Sequence, residues 1–187
     1  LLAARTYDVI LPIDPPTSLD FMSFYAAGDL VDRGTPALAY NEKIHEQTEK
    51  RIYGDPRIPY FGFYYPPVYQ LLCAALAVFP FTLSYVLFML ATGSAYFLVL
   101  RGTIRDPVLI AALASFPAAF LTVALGQNSF LTTALMGGAL LALDRRPILA
   151  GILFGSMVDK PQCLVLVPVA LIAGRDWAAL VASAERP

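Results

Sequence analysis

The sequence has 187 residues, of which 58% are hydrophobic and 14% charged, and its formal net charge is −1. A globular domain has roughly 25% charged residues, so this composition excludes an ordinary soluble domain and calls for lipid to cover the excess apolar surface. The near-zero charge excludes nucleic acid as a partner, because a phosphate backbone requires a basic patch. We therefore predict an all-α, polytopic transmembrane protein whose partner is the membrane lipid bilayer.

Residues 1–66 are predicted to form a large first extracytoplasmic loop, because they carry most of the acidic side chains and contain no spanning segment. Residues 67–187 are predicted to form the transmembrane helical region. The chain begins with Leu1 and ends in a short apolar run before Pro187, from which we expect it to be truncated at both ends.

Two short helices are predicted within the loop. Residues 18–33 have apolar side chains at roughly helical spacing and are followed by Gly34, a stop signal, which indicates an amphipathic helix. Residues 41–52 are very polar and place Glu46 four residues before Lys50, which predicts a solvent-exposed helix.

Aromatic residues are dense between Tyr60 and Tyr69, and amphipathic rings favour the interface between membrane and water. This segment is predicted to anchor the loop to the bilayer surface. The following apolar stretch, Val68–Phe79, is too short for a full span and predicts a half-crossing or interfacial helix.

Long apolar segments follow, with no formal charge between Arg57 and Arg101 or between Asp106 and Asp144. A spanning helix needs about 20 apolar residues, because each residue adds about 1.5 Å to a helix that must cross about 30 Å of hydrocarbon. Three predicted spans meet or nearly meet this length: Ser84–Leu100, Pro107–Leu125 and Ser129–Leu143.

Basic residues predict the orientation. Short turns after the apolar segments contain arginines, and the positive-inside rule assigns such turns to the cytoplasm. They are Arg101, Arg105, Arg145, Arg146 and Arg175. The alternate turns, at residues 126–129 and 159–162, then face the outside. If Val68–Phe79 does not cross the membrane, the loop lies on that side as well and the polar residues could share one cavity; if it crosses, one of these assignments is wrong.

Lys160 is the most informative polar residue of the apolar region. Ile148–Val158 and Cys163–Ala173 are each too short to span comfortably, and they meet at the Asp159-Lys-Pro-Gln break. An ionisable residue at such a depth is costly, which favours a functional role. Lys160 could neutralise a phosphate, and Gln127 with Asn128 could donate hydrogen bonds to a phosphate or sugar. Ordinary turn polarity explains Lys160 equally well and explains Gln127 and Asn128 better.

Carboxylates in the loop are candidates for acid–base chemistry. Asp20 follows a Pro-Pro turn, and taken alone it is better explained as a helix cap, since Asp is a preferred N-cap residue. Asp14, Asp29 and Asp32 compete with it, and the sequence does not rank the four.

Cysteine placement gives no support for a metal site. Cys73 and Cys163 lie in apolar stretches without a His or Cys partner, which predicts two core residues. No carboxylate pair has metal-ligand spacing, so we expect neither a metal nor a cofactor.

Several stretches resemble glycosyltransferase family 87 in the same order. In the loop they are residues 20–28 (Asp-Phe-Met-Ser-Phe-Tyr-Ala-Ala-Gly), 34–40 and 63–67 (Phe-Tyr-Tyr-Pro-Pro). Further along they are Gly126-Gln-Asn-Ser, residues 144–155 and Lys160-Pro-Gln. The resemblance extends over residues 18–176 and implies the N-terminal part of a multi-helix enzyme of the GT-C architecture.

The resemblance implies an inverting transfer of a hexosyl or pentosyl unit from a polyprenyl-phosphate sugar to a glycan or glycolipid acceptor. Asp20 would be the general base. Lys160, with Gln127, would stabilise the departing phosphate. Tyr25, Tyr65, Asn128 and Gln162 complete the predicted substrate-binding set. The implied location is the bacterial inner membrane, with the site on the extracytoplasmic side.

One departure from the family pattern is Asp159, where an apolar or aromatic residue is expected. Its carboxylate could pair with Lys160 and weaken phosphate binding there. Two alternatives to the enzyme stay open: a transporter or flippase of a lipid-linked intermediate, since short broken helices suit translocation, and an inactive truncated remnant.

Overall fold

The computed structural model describes residues 20–157 and 160–184, without the side chains of residues 161–165 and 184. Every regular element in these ranges is helical, which confirms the all-α prediction. The helices are α1 (Asp20–Asp32), a 3₁₀ helix (Pro36–Tyr40), α2 (Glu42–Tyr53), α3 (Tyr69–Ala77), α4 (Phe81–Thr103), α5 (Pro107–Ala114), α6 (Pro117–Leu125), α7 (Ser129–Ala142), α8 (Pro147–Gly155), α9 (Pro161–Gly174) and α10 (Trp177–Ala184).

The described residues form two compact units. The first contains the chain up to Leu90 together with Pro117–Gln127. The second contains Ala91–Phe116 and the chain from Asn128 onwards. The predicted boundary after residue 66 falls inside the first unit.

Local sequence signals account for the ends of α1 and α2. Gly34 follows α1 with a φ of 75°, a left-handed conformation that glycine adopts without steric cost. Asn41 caps α2, its side-chain oxygen accepting a hydrogen bond from the Ile44 amide at 3.3 Å. The Nζ of Lys50 lies 2.7 Å from Glu46 Oε1, as the four-residue spacing predicted.

The exposure predicted for these two helices is wrong. α1 is not amphipathic, since it is buried around most of its circumference, from Phe21 and Phe24 to Ala27 and Leu30. α2 is the amphipathic one: it was predicted to be solvated, yet one face is buried and contains His45, Thr48 and Glu49. The sequence of α2 is so polar that it does not reveal a buried face.

α3 packs against α1 at a place where side chains are small. A Cβ on Gly28 would overlap the Cys73 carbonyl oxygen and lie 2.9 Å from Ala77 Cβ, so the two helix backbones touch here. Cys73 is buried, which confirms its predicted core position, whereas the side chain of Cys163 lies outside the described residues. At 9 residues, α3 rises about 14 Å and is too short to span a bilayer.

The aromatic segment contributes to the interior of the first unit rather than only to a surface. Phe63 and Tyr69 are buried, and Phe63 makes ring contacts with Tyr40, Tyr65 and Tyr69. Tyr64, by contrast, is exposed. The prediction that the segment anchors the loop to the bilayer therefore does not hold for the inward-facing rings.

Among the described residues, α4 is the helix whose length and composition suit a membrane span. Only 22% of its most apolar 18-residue stretch is buried, whereas the core helix of a soluble protein is mostly buried. The predicted continuous helix Pro107–Leu125 is wrong, because it is interrupted between α5 and α6, where Pro117 cannot donate a backbone hydrogen bond and disfavours helix at Phe116. Counted as one broken span, α5 and α6 would supply a second candidate.

The later apolar helices are shorter than a span. α7 has 14 residues, about 21 Å, against the roughly 30 Å of a hydrocarbon core. α8 ends at Gly155 and α9 begins at Pro161, so the predicted break around Lys160 is confirmed. These lengths leave the multi-pass arrangement as a prediction.

The second unit has its own apolar core, in which α8 lies between α7 and α10. Phe154 and Met157 are buried there, together with Leu171 of α9. The approach of α8 to α10 depends on Gly151, because a Cβ at this position would overlap the Ala179 carbonyl oxygen. Small residues of this kind let helix backbones approach closely in membrane proteins.

We expect Gly151→Ala to destabilise the second unit by about 1–3 kcal/mol, since the added methyl group must push two backbones apart. Gly138→Ala is the matched control, because its Cβ would lie 3.5 Å from Leu153 Cδ1, an ordinary contact. Thermal unfolding in detergent should show a lower midpoint for Gly151→Ala alone. Equal midpoints for the two variants would contradict the predicted α8–α10 contact.

Candidate functional site

The first turn of α1 carries Asp20, the predicted base. Asp20 is the first residue of the helix and is partly buried. Negatively charged side chains are favoured in the first turn of a helix, and a general base acts as its carboxylate.

Two of the three competing carboxylates have different positions in the structure. Asp29 is paired with Arg33, whose Nε lies 2.7 Å from Oδ2, and with Arg51 of α2, so it holds α1 to α2. Asp32 is exposed at the opposite end of α1 from Asp20. Asp14 lies outside the described residues. The structure therefore distinguishes Asp20 from Asp29 and Asp32, which the sequence did not.

A tight turn after α6 lies directly against this first turn of α1. Gly126 has a φ of 67°, and a Cβ on it would lie 2.5 Å from Phe21 Cβ and 3.3 Å from the Phe21 nitrogen. The Gln127 amide donates to the Thr122 carbonyl at 2.9 Å and the Gly126 amide to the Val123 carbonyl at 3.2 Å, a glycine-dependent helix ending.

The backbone next to Asp20 and the backbone next to Gln127 are thereby brought into contact. Asp20 precedes Phe21 and Gln127 follows Gly126, so each is one residue from the close contact between the two backbones. Tyr85 supports this arrangement, since its hydroxyl donates to the Val123 carbonyl and its ring packs edge-on against Phe21 at 5.4 Å. The turn at Gly126 thus sets the position of Gln127 relative to α1.

Tyr65 lies near the same end of α1. Its ring packs edge-on against Phe24, with centroids 5.1 Å apart, and stacks on Tyr69 at 4.5 Å. Phe24 follows Asp20 by one helical turn, about 6 Å of rise. The Tyr40 hydroxyl holds the Tyr65 backbone, donating to its carbonyl at 2.8 Å. The turn that precedes Gln127 and the ring of Tyr65 therefore both pack against the first half of α1, which begins at Asp20.

Tyr25, also predicted to bind substrate, has a structural contact. Its hydroxyl donates to the Phe79 carbonyl at 2.7 Å, and its ring packs edge-on against Phe81 at 5.2 Å. Burial, and then the Asp29 and Asp32 carboxylates, raise the pKa of Tyr25, so the hydroxyl keeps the proton that it donates. Tyr25 thus attaches α1 to the connection between α3 and α4, and substrate binding by Tyr25 stays a prediction.

The other predicted residues belong to the second unit. Asn128 is buried before α7, and its carbonyl accepts a hydrogen bond from the Thr132 amide at 3.0 Å. Lys160 precedes α9, is partly buried, and donates its amide to the Met157 carbonyl at 3.1 Å. Asp159 and the side chain of Gln162 lie outside the described residues, so the expected Asp159–Lys160 pair stays a prediction.

A buried pair on α2 was missed by the sequence analysis. His45 and Glu49 are 0% and 1% exposed, and His45 Nδ1 lies 3.6 Å from Glu49 Oε1. His45 Nε2 lies 3.2 Å from the Ser23 carbonyl, and Glu49 Oε2 accepts a hydrogen bond from the Phe61 amide at 3.1 Å. The available signal was the only histidine of the chain placed four residues before a glutamate.

Comparison with known protein families decides the chain's membership. The model of glycosyltransferase family 87 matches residues 63–185, about two thirds of the chain. The chain belongs to glycosyltransferase family 87. The family's activity is glycosyl transfer, and membership together with the apolar helix α4 indicates a membrane-associated protein. No curated protein and no solved structure matches the chain.

Some of the predicted site residues lie within the family 87 match and others precede it. It includes Tyr65 and Gln127 of the first unit and every predicted site residue of the second, namely Asn128, Lys160 and Gln162. It begins at Phe63, so Asp20 and Tyr25 precede it. The family assignment is therefore confirmed, whereas the role of Asp20 as base rests on the resemblance and on its position at the start of α1.

Proposed function

We propose that this family 87 protein is an inverting membrane glycosyltransferase that takes a hexosyl or pentosyl unit from a polyprenyl-phosphate sugar. The observation that carries the proposal is that Gly126, next to Gln127, and the ring of Tyr65 both pack on the first half of α1, which begins at Asp20. A carboxylate, an amide and an aromatic ring are a combination suited to a sugar: a base, a hydrogen-bond donor and an apolar surface.

Asp20 would take the proton from the acceptor hydroxyl while the acceptor oxygen forms its bond to the anomeric carbon. The bond from that carbon to the phosphate oxygen breaks, and its electron pair leaves with the polyprenyl phosphate. Attack from the face opposite the leaving group inverts the anomeric centre, as in inverting glycosidases. Lys160 is proposed to bind a phosphate because it stands at the break between two apolar helices.

The proposed setting is the bacterial inner membrane, crossed several times. α4 supplies one span by length and composition. The positive-inside rule would assign Arg101 and Arg105, which follow its apolar part, to the cytoplasm. The first unit's helices α1 and α2 would then face the extracytoplasmic side, where a glycan or glycolipid acceptor is expected.

The experiment that tests this function measures transfer of radiolabelled sugar from a panel of polyprenyl-phosphate sugars, using membranes of cells that produce the protein. We expect transfer from at least one lipid-linked donor, with inverted anomeric configuration in the product by NMR. Membranes lacking the protein and a parallel panel of nucleotide sugars are the controls. Transfer from nucleotide sugars alone would overturn the donor class.

The same membranes distinguish the alternatives. The interruption between α8 and α9 beside Lys160 also suits a transporter of a lipid-linked intermediate. Movement of the lipid-linked sugar across the bilayer without transfer would support the transporter. Neither movement nor transfer would support an inactive remnant.

A further inference from the structure

His45 and Glu49 form a buried polar pair within the first unit, away from solvent and outside the family 87 match. Burying two ionisable side chains is costly unless they are bonded or neutral. Two of their atoms, His45 Nδ1 and Glu49 Oε1, make no hydrogen bond to other groups, and these are the two atoms that face each other at 3.6 Å. The pair therefore needs a specific protonation state.

A neutral pair satisfies this geometry. Burial raises the pKa of Glu49 to about 8, and burial lowers the pKa of His45, so both side chains are uncharged at neutral pH. A neutral histidine that donates from Nε2 to the Ser23 carbonyl has a lone pair on Nδ1. Since Glu49 Oε2 accepts from the Phe61 amide, the carboxylic proton belongs on Oε1, which faces that lone pair.

The groups around His45 and Glu49 are compatible with the neutral form of both side chains. Glu46 and Lys50 on the same helix act on Glu49 in opposite directions and pair with each other at 2.7 Å. From the aromatic segment, the rings of Tyr60 and Phe63 pack against the His45 imidazole, with centroids at 5.9 and 6.2 Å. From α1, the Ser23 carbonyl faces the imidazole.

The hydrogen bonds of the pair to the Ser23 carbonyl and the Phe61 amide connect the two segments that carry Asp20 and Tyr65. Ser23 lies three residues after Asp20, on the same face of α1. Phe61 lies four residues before Tyr65, in the segment that packs on Phe24. The pair thus joins the first turn of α1 to the segment that carries Tyr65.

We propose that His45 and Glu49 are positioning residues, which hold Asp20 and Tyr65 in register by bonding the Ser23 carbonyl and the Phe61 amide from one buried face of α2. The inference rests on the proposed function. It assigns no contact with substrate to either residue. A misplacement of about 1 Å costs on the order of 100-fold in rate, which sets the expected size of the effect.

Two kinds of variant distinguish the effect of the hydrogen bonds from the effect of filling the space: glutamine variants keep a bond, and leucine variants do not. His45→Gln keeps an amide donor for the Ser23 carbonyl, and Glu49→Gln keeps an acceptor for the Phe61 amide. His45→Leu and Glu49→Leu fill the space without these bonds. We expect the leucine variants to lower kcat about 10- to 100-fold, with little change in KM for the lipid donor. The glutamine variants should retain most of kcat. All rates are normalised to the amount of folded protein.

The dependence of the transfer rate on pH tests the role of Glu49 separately from any loss of folded protein. Because the folded pKa of Glu49 is raised, its proton stabilises the pair below about pH 8, and the rate should fall above that value as Glu49 ionises. Glu49→Gln cannot ionise and should lack this alkaline decrease. Glu46→Gln, at a partly exposed position on the same helix, should keep the decrease but move it to lower pH, because the Glu46 charge helps to raise the pKa of Glu49.

The outcomes are distinguishable. If the unaltered protein transfers no sugar from any lipid-linked donor, the proposed function fails. If it does transfer sugar but Glu49→Gln keeps the alkaline decrease, the positioning role is overturned and the function stands. Should the leucine variants fail to fold, the comparison of Glu49→Gln with Glu46→Gln still decides the inference.

Discussion

Asp20→Asn is expected to lower the rate of sugar transfer about 10²- to 10⁴-fold, the usual contribution of a general base. The amide preserves the size of the side chain, but it cannot take the proton from the acceptor hydroxyl. The measurement is kcat in membranes with the preferred lipid-linked donor, normalised to the amount of folded protein.

Asp32→Asn is the matched control, because Asp32 is a carboxylate of the same helix that lies exposed at its other end. Asp29 would be a poor control, since its ion pairs with Arg33 and Arg51 hold two helices together. Equal rates for Asp20→Asn and Asp32→Asn would remove Asp20 as the base. The family assignment would survive, since the match begins at Phe63.

Gly28→Ala should cost about 3 kcal/mol of unfolding free energy, at or above the top of the range for overpacked cores. The added Cβ would overlap the Cys73 carbonyl oxygen and lie 2.5 Å from the carbonyl carbon. A side chain could rotate away from such a clash, but a backbone carbonyl within α3 cannot move without shifting the whole helix. We therefore expect α1 and α3 to separate.

The measurement for Gly28→Ala is the midpoint of thermal unfolding in detergent, together with the rate of proteolysis within residues 20–77. Gly93→Ala is the control, since its Cβ would lie 3.8 Å from the nearest atoms, those of the Phe130 ring, and alanine favours helix by about 1 kcal/mol. Gly93→Ala should unfold at or above the original midpoint. A Gly28→Ala protein as stable as Gly93→Ala would contradict the α1–α3 contact.

Several elements of the fold could be predicted because their causes are local. Gly34 ends α1, Asn41 caps α2, and Lys160 stands at the break before α9, each through the backbone preferences of residues adjacent to it. The family could also be recognised, because its motifs are short stretches whose order survives in the sequence. The hydrophobic content similarly required an all-α membrane-associated protein.

Other features depend on contacts between distant residues. The inward position of Phe63 and the burial of α1 reflect packing against neighbours, which side-chain polarity and periodicity do not specify. The same is true of the pair His45 and Glu49, two residues that the sequence analysis assigned to solvent. Their burial is possible only because Ser23 and Phe61 supply bonding partners from elsewhere in the chain.

The amino-acid sequence by itself thus determined the helical class, the family, most helix ends and the identity of the candidate residues, because these follow from composition and short-range backbone chemistry. Only the tertiary structure decided which candidates meet. It placed Gly126, the neighbour of Gln127, against Phe21, the neighbour of Asp20, more than 100 residues away in the chain. Such a contact depends on the shape of two packed backbones, and no local preference encodes it.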